Sequence, residues 1–129
     1  MTSKQLGSLG EKIAANYLKK KDYQILDRNY SDKFLFGPQR GEVDLIAKKN
    51  RTISFIEVKT LTQNEREQFS PFSPEMKVNF QKQKKIIKTA ENWLRERKIP
   101  LNIKWQIDII SIKINLNSKK AKIRHFKNV

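Results

Sequence analysis

Gly41-Glu42-Val43-Asp44-Leu45-Ile46-Ala47-Lys48 and Ile53-Ser54-Phe55-Ile56-Glu57-Val58-Lys59, joined by Lys49-Asn50-Arg51-Thr52, decide how this chain folds. Both flanks are rich in β-branched and aromatic residues and the four residues between them are polar, the pattern of two strands and a turn. Carboxylates interrupt both strands, and burying an ionised carboxylate is expensive unless it is paired or coordinates a metal. A symmetric hairpin places Asp44 directly opposite Glu57 and Glu42 opposite Lys59. Opposed residues have β-carbons about 4.5–5.5 Å apart. Two carboxylates at that separation repel and raise a pKa unless a cation lies between them. Lys59 follows Glu57 by two residues and shares its strand face. Spacing alone leaves two readings open. One is a cross-strand ion pair at a sheet edge. In the other, Asp44 and Glu57 hold a hard cation such as Mg²⁺, and Lys59 acts on a water or on the phosphate under attack.

Outward from the hairpin, residues 3–21 predict a helix, with Leu6, Leu9, Ile13, Ala14, Tyr17 and Leu18 in one stripe, Ser3 as N-cap and Asp22 at its end. Glu11 falls at the border of that stripe, placed either to face solvent or to reach over the sheet towards Asp44 and Glu57. Ile25-Leu26 reads as a short strand or turn. Residues 61–77, with Pro71 and Pro74, lack periodicity and read as a loop. A second helix fits Asn79 to Lys98, closed by Pro100. Phe80, Ile87 and Leu94 repeat every seven residues, and Lys82, Lys84, Lys85 and Lys88 give its other face a positive charge. Trp105 to Ile114 and Lys122 to Phe126 read as two further strands around an Asn115–Lys120 turn. Asp108 shares a strand face with Ile110 and Ile112, as a structural group or as an anchor behind a site. The order α-β-β-α-β-β predicts one α/β domain over residues 1–129, a mixed sheet flanked by helices.

Composition bounds the function. The chain has 129 residues and a mean hydropathy of −0.73, with 28 basic against 13 acidic side chains, a net +15. Residues 1–60 hold 12 basic and 7 acidic side chains and residues 61–129 hold 16 and 6. Such a field attracts polyanions, nucleic acid above all. The longest unbroken apolar runs, such as Phe34-Leu35-Phe36, are three residues. They are too short for a membrane span or signal core, so the cytoplasm is the expected compartment. The absence of cysteine excludes disulfides, thiolate zinc sites and a cysteine nucleophile. The single histidine, His125, argues against histidine-rich metal sites and is expected at the surface or on a phosphate. Trp93 and Trp105 read as core. Phe34, Phe36, Phe69 and Phe72 lie in or near loops, placed to pack or to stack on unpaired bases.

Asp44, twelve residues, then Glu57-Val58-Lys59 resembles the D…(D/E)-x-K signature of restriction-endonuclease-like nucleases. Over nearly its whole length the chain resembles the YraN-type family of small bacterial proteins. The resemblance is carried by Gly10-Glu11-x-x-Ala14-Ala15-x-Tyr17-Leu18, Gly41-Glu42-Val43-Asp44-Leu45-Ile46-Ala47 and Phe55-Ile56-Glu57-Val58-Lys59-Thr60. Lys82, Ala90 and Asp108-Ile109-Ile110 fit the later blocks. It implies a restriction-endonuclease-like core similar to that of Holliday-junction resolvases, and a Mg²⁺-dependent endonuclease (Mn²⁺ as the alternative ion). Asp44, Glu57 and Glu11 would hold the metal, and Lys59 would act on the attacking water. Lys82, Gln83, Lys85 and Arg40, with the Lys119–Lys127 tail, would contact phosphates, of DNA more readily than RNA and of branched DNA in particular. Related nucleases often work as dimers, so a homodimer suits a two-stranded substrate. Two other readings start from the same residues. They are a non-catalytic DNA- or RNA-binding module on this fold and a basic adaptor for an RNA-rich assembly.

Overall fold

The computed structural model describes residues 1–32, 41–62 and 80–129. Helix α1 (Ser3–Lys20) is followed by strands β1 (Gln24–Ser31), β2 (Glu42–Lys49) and β3 (Thr52–Thr62). Helix α2 (Phe80–Glu96) and strands β4 (Lys104–Asn115) and β5 (Lys120–Phe126) complete the order. The result is an α/β fold with a restriction-endonuclease-like arrangement of helices and strands. The sheet runs β1-β2-β3-β4-β5, parallel only between β3 and β4 and antiparallel elsewhere. A parallel neighbour requires a crossover, and α2 lies within the connection between β3 and β4.

Several boundaries shift by one or two residues from the sequence reading, and three departures have a physical cause. The short strand or turn at Ile25-Leu26 is an eight-residue edge strand, irregular between Ile25 and Asp27, whose mixed polarity hid it. The loop assigned from residue 61 starts later, because Leu61 and Thr62 still pair with Lys113 and Ile114. The N-cap of α1 is Thr2, one residue before the expected Ser3. Thr2 Oγ1 accepts the Gln5 N–H at 3.1 Å and Gln5 Oε1 accepts the Thr2 N–H at 2.9 Å. That reciprocal box needs an amide or acid three residues on; Ser3 has Leu6 there. Both helices end with a non-glycine residue in the left-handed region, Asp22 (φ 69°) and Lys98 (φ 56°). The Tyr23 and Ile99 N–H groups then reach back to the Leu18 and Leu94 carbonyls, closing a Schellman turn on each.

One face of the sheet packs Leu45, Ala47, Ile56, Ile110 and Ile112 against Ala14, Ala15 and Leu18 of α1. The other packs Val43, Ile46, Ile53, Phe55 and Ile107 against Ile86, Ala90, Trp93 and Leu94 of α2. Phe55 meets Trp93 and Trp105 edge-on at 5.7 and 5.5 Å between ring centres. Because helices cover both faces, β3 and β4 are nearly continuous apolar runs rather than alternating ones. Alternation also fails in β2. Val43 and Ile46 pack towards α2 while Leu45 and Ala47 pack towards α1, so the face changes out of step at Asp44. Among the described residues no helix is long and apolar enough to cross a membrane.

Candidate active site

The hairpin pairs in the symmetric register, from Lys49 opposite Thr52 to Leu45 opposite Ile56. The ladder stops there, one rung short of Asp44 and Glu57. Instead of facing Glu57 across a regular pair, Asp44 turns its carboxylate onto the β3 backbone, and Oδ2 accepts the Val58 N–H at 2.7 Å. Asp44 and Glu57 then line one cleft of about 420 Å³ with Gly41, Glu42, Gln81, Lys82, Lys85 and Ile86.

Two glycines bring the helices this close. A β-carbon on Gly41 would strike Thr89 Oγ1 and come within 2.7 Å of the Lys85 carbonyl, so only glycine lets the start of β2 lie against α2. A β-carbon on Gly10 would strike the Thr60 side chain, so glycine there lets α1 settle on β3 one residue before Glu11. Glu11 does not line the cleft. With the Asn29 amide turned so that its nitrogen faces Glu11, the Glu11 carboxylate accepts from it at 3.1 and 3.3 Å, and Asn29 itself lies in the left-handed region (φ 51°). Burial raises the Glu11 pKa, Asn29 opposes this, and Glu42 adds to it.

The electrostatics single out Asp44. Burial pushes its pKa from 3.8 to about 6, and Glu11, Glu42 and Glu57 push in the same direction against the one Val58 hydrogen bond. Glu57 is handled differently. Its Oε1 pairs with Lys82 of α2 and lies 3.6 Å from Lys59 Nζ, with 12% of the side chain exposed. Oε2 is buried and has no hydrogen-bond partner among the described residues. Burial and the neighbouring Lys82 draw the Lys59 pKa downwards. Burial acts the same way on Lys82, but its contacts with Glu57 and Lys59 outweigh burial and leave it above the ordinary value.

This donor set fits a hard divalent cation. It consists of carboxylate oxygens, one of them buried and unsatisfied, and carboxylates with water are what Mg²⁺ takes. Asp44 and Glu57 are the two that share the cleft. Among the described residues no three Asp, Glu, His or Cys side chains converge as a metal cluster.

The remaining site residues fall as follows. Lys82, expected on phosphate, is bound to Glu57, and Lys85 lines the cleft. Gln83 donates to the Val129 carbonyl at 3.3 Å. Arg40, Phe34, Phe36, Phe69, Phe72 and residues 63–77 of the expected loop lie outside the described residues. His125 departs from expectation: its side chain is 4% exposed and hydrogen-bonded to Asp108 at 2.8 Å, between Tyr17 and Tyr23. The basic strand suggested a surface position, but His125 lies opposite Ile110 and so faces the α1 core. Asp108 is the structural group of its two readings. It is fully buried and accepts from His125, Gln106 and the Asn128 N–H. Sequence reasoning missed the Lys82–Glu57 pair. Its signal was Lys82, Lys85 and Ile86 sharing a helix side, with Ile86 known to be apolar.

A mixed five-stranded sheet between two helices, with Asp44 and Glu57-Val58-Lys59 at the end of its central hairpin, defines a restriction-endonuclease-like α/β core. The comparisons are narrower. The profile of the uncharacterised protein family UPF0102 matches residues 10–112. The chain is 39% identical over 126 residues to a UPF0102 protein of Clostridium beijerinckii, spanning 98% of this chain and 93% of that one. It is 38% identical to one from Clostridium botulinum strain 657, over 98% and 94% of the two chains. It is 36% identical to one from Alkaliphilus oremlandii, over 98% and 97%. This chain belongs to the UPF0102, or YraN, family.

Proposed function

We propose that this protein is a metal-dependent endonuclease acting on nucleic acid, DNA in the first place and branched DNA by its likeness to junction resolvases. The observation that carries the proposal is Glu57: a buried carboxylate with one oxygen unsatisfied, in a cleft shared with Asp44 and walled by lysines. A site meant only to grip phosphate has no use for two carboxylates, which repel it. Asp44 and Glu57 would hold Mg²⁺ or Mn²⁺, and such an ion supplies charge stabilisation to a phosphodiester under attack. Lys59 Nζ, beside Glu57, orients the attacking water. Lys82 balances the charge of Glu57 before substrate arrives and offers its ammonium to a phosphate oxygen afterwards. The cationic face of α2 holds the backbone without reading bases.

The test is cleavage of labelled four-way junction, flap, duplex and single-stranded DNA with Mg²⁺, Mn²⁺ or EDTA. Wild type runs beside Glu57→Ala, Lys59→Ala and Asp44→Asn. We expect metal-dependent cutting that falls by about 10²-fold or more in each variant while binding persists. Salt-sensitive binding without cutting by wild type, under every metal, would replace this reading with a binding module.

A further inference from the structure

We propose that the opposite end of the sheet, on its other face, carries a second phosphoryl-binding site. Tyr23, Lys49, Asn50, Thr52, Ser54, Lys104, Gln106 and Lys127 line a pocket of about 380 Å³ there. Its floor is a cross-strand row: Thr52 lies beside Lys104 and Ser54 beside Gln106 on the parallel β3–β4 ladder. Lys49 is the partner of Thr52 across the hairpin. These strand positions share the face of Ile56 and Ile110, which pack on α1, whereas Glu57 meets Lys82 of α2. Glu57 lies five steps along β3 from Thr52, about 17 Å at strand rise.

The chemistry differs from that of the first cleft. Three lysines from three separate segments converge with two hydroxyls, a phenol and two amides, and among the described residues no carboxylate lines the pocket. Ammonium groups among short polar donors suit a phosphate dianion or a phosphodiester. The pocket is also built on a fixed support. The Asp108 carboxylate, two residues along β4 from Gln106, is spent on its own donors: Gln106 Nε2 at 2.9 Å, His125 Nε2 at 2.8 Å and the Asn128 N–H at 3.0 Å. Asp108 therefore fixes the floor residue Gln106 and the backbone that carries Lys127. Lys49 is held with its Nζ 5.2 Å from the centre of the Tyr23 ring. None of this depends on the nuclease reading, since the pocket contains none of the residues of that site.

The phosphoryl group can come from a second stretch of nucleic acid or from a small phosphate, and one experiment separates them. Amide spectra of the full chain are followed during titration with inorganic phosphate, and oligonucleotide affinity is measured against salt. Both are done for wild type, for Lys49→Gln/Lys104→Gln/Lys127→Gln, for Lys104→Gln alone, and for Lys4→Gln/Lys12→Gln/Lys19→Gln as an equal loss of charge on α1. We expect saturable shifts at Asn50, Thr52, Ser54 and Gln106 in wild type and in the α1 variant, absent in the pocket triple variant and weakened in Lys104→Gln. If nucleic acid is the source, the pocket triple variant also loses about 1–2 from its salt slope while the α1 variant does not. Lost phosphate shifts with an unchanged oligonucleotide slope identify the small ligand. Shifts spread over all lysine-bearing surfaces, or shifts that survive in the pocket triple variant, overturn the proposal.

Discussion

Asp44 and Asp108 make the same mark in the sequence, a carboxylate inside an apolar strand, and the fold treats them in opposite ways. Asp108 is fully buried, and burial alone would raise its pKa. Hydrogen bonds from His125, Asn128 and Gln106 outweigh burial and hold it below 3.8. Asp44 receives one backbone hydrogen bond and faces three other carboxylates, so burial wins and its pKa rises to about 6. A buried carboxylate supplied with donors from three directions organises its surroundings. Asp44, with one donor among the described residues and a cleft shared with Glu57, whose buried Oε2 has no partner among them, carries the raised pKa that marks a candidate functional group.

The contrast breaks first at Asp108. Asp108→Ala leaves His125, Gln106 and the Asn128 N–H without their acceptor, and we expect about 3–4 kcal/mol lost at pH 7.5 by urea unfolding. Because the folded pKa lies below 3.8, that stabilisation is present above 3.8 and fades as the pH falls through the folded value. A loss under 1 kcal/mol would make Asp108 no better satisfied than Asp44. Asp44→Asn should act with the opposite sign. With a folded pKa of about 6 against 3.8, ionised Asp44 costs stability above pH 6, and the cost vanishes below 3.8, where both states are protonated. We expect Asp44→Asn to gain about 2 kcal/mol at pH 7.5 and nothing at pH 3.5, while abolishing the proposed cleavage. A destabilised Asp44→Asn would show that the Val58 hydrogen bond, and not the charge, governs this position. The smallest effect sharpens the cause. Glu11→Gln removes one of the charges acting on Asp44, so the Asp44 titration followed by carboxyl NMR should move below 6 yet stay above 3.8, because burial remains.

Much of the geometry of the candidate site was legible because a short hairpin is local. The Lys49–Thr52 turn sets the pairing of β2 with β3, and that pairing carries Asp44, Glu57 and Lys59 to one end of the sheet. Even so, the carboxylates do not form the regular opposed pair that strand symmetry suggests, since the ladder ends at Leu45 and Asp44 seeks the Val58 backbone. The apolar stripes of α1 and α2 were equally plain, because a helix repeats its buried face every three or four residues. Strand β1 was faint because Arg28 and Asn29 sit among its half-buried residues.

The sequence by itself determined the α/β class, the two helices, the hairpin and the pair of carboxylates that share the cleft, all of which depend on residues close together in the chain. Only the tertiary structure decided that Lys82 neutralises Glu57, that His125 is buried on Asp108, and that Lys49, Lys104 and Lys127 converge at the far end of the sheet. Those contacts join separate elements, and the free energy of a buried charge depends on which donors the assembled fold brings to it.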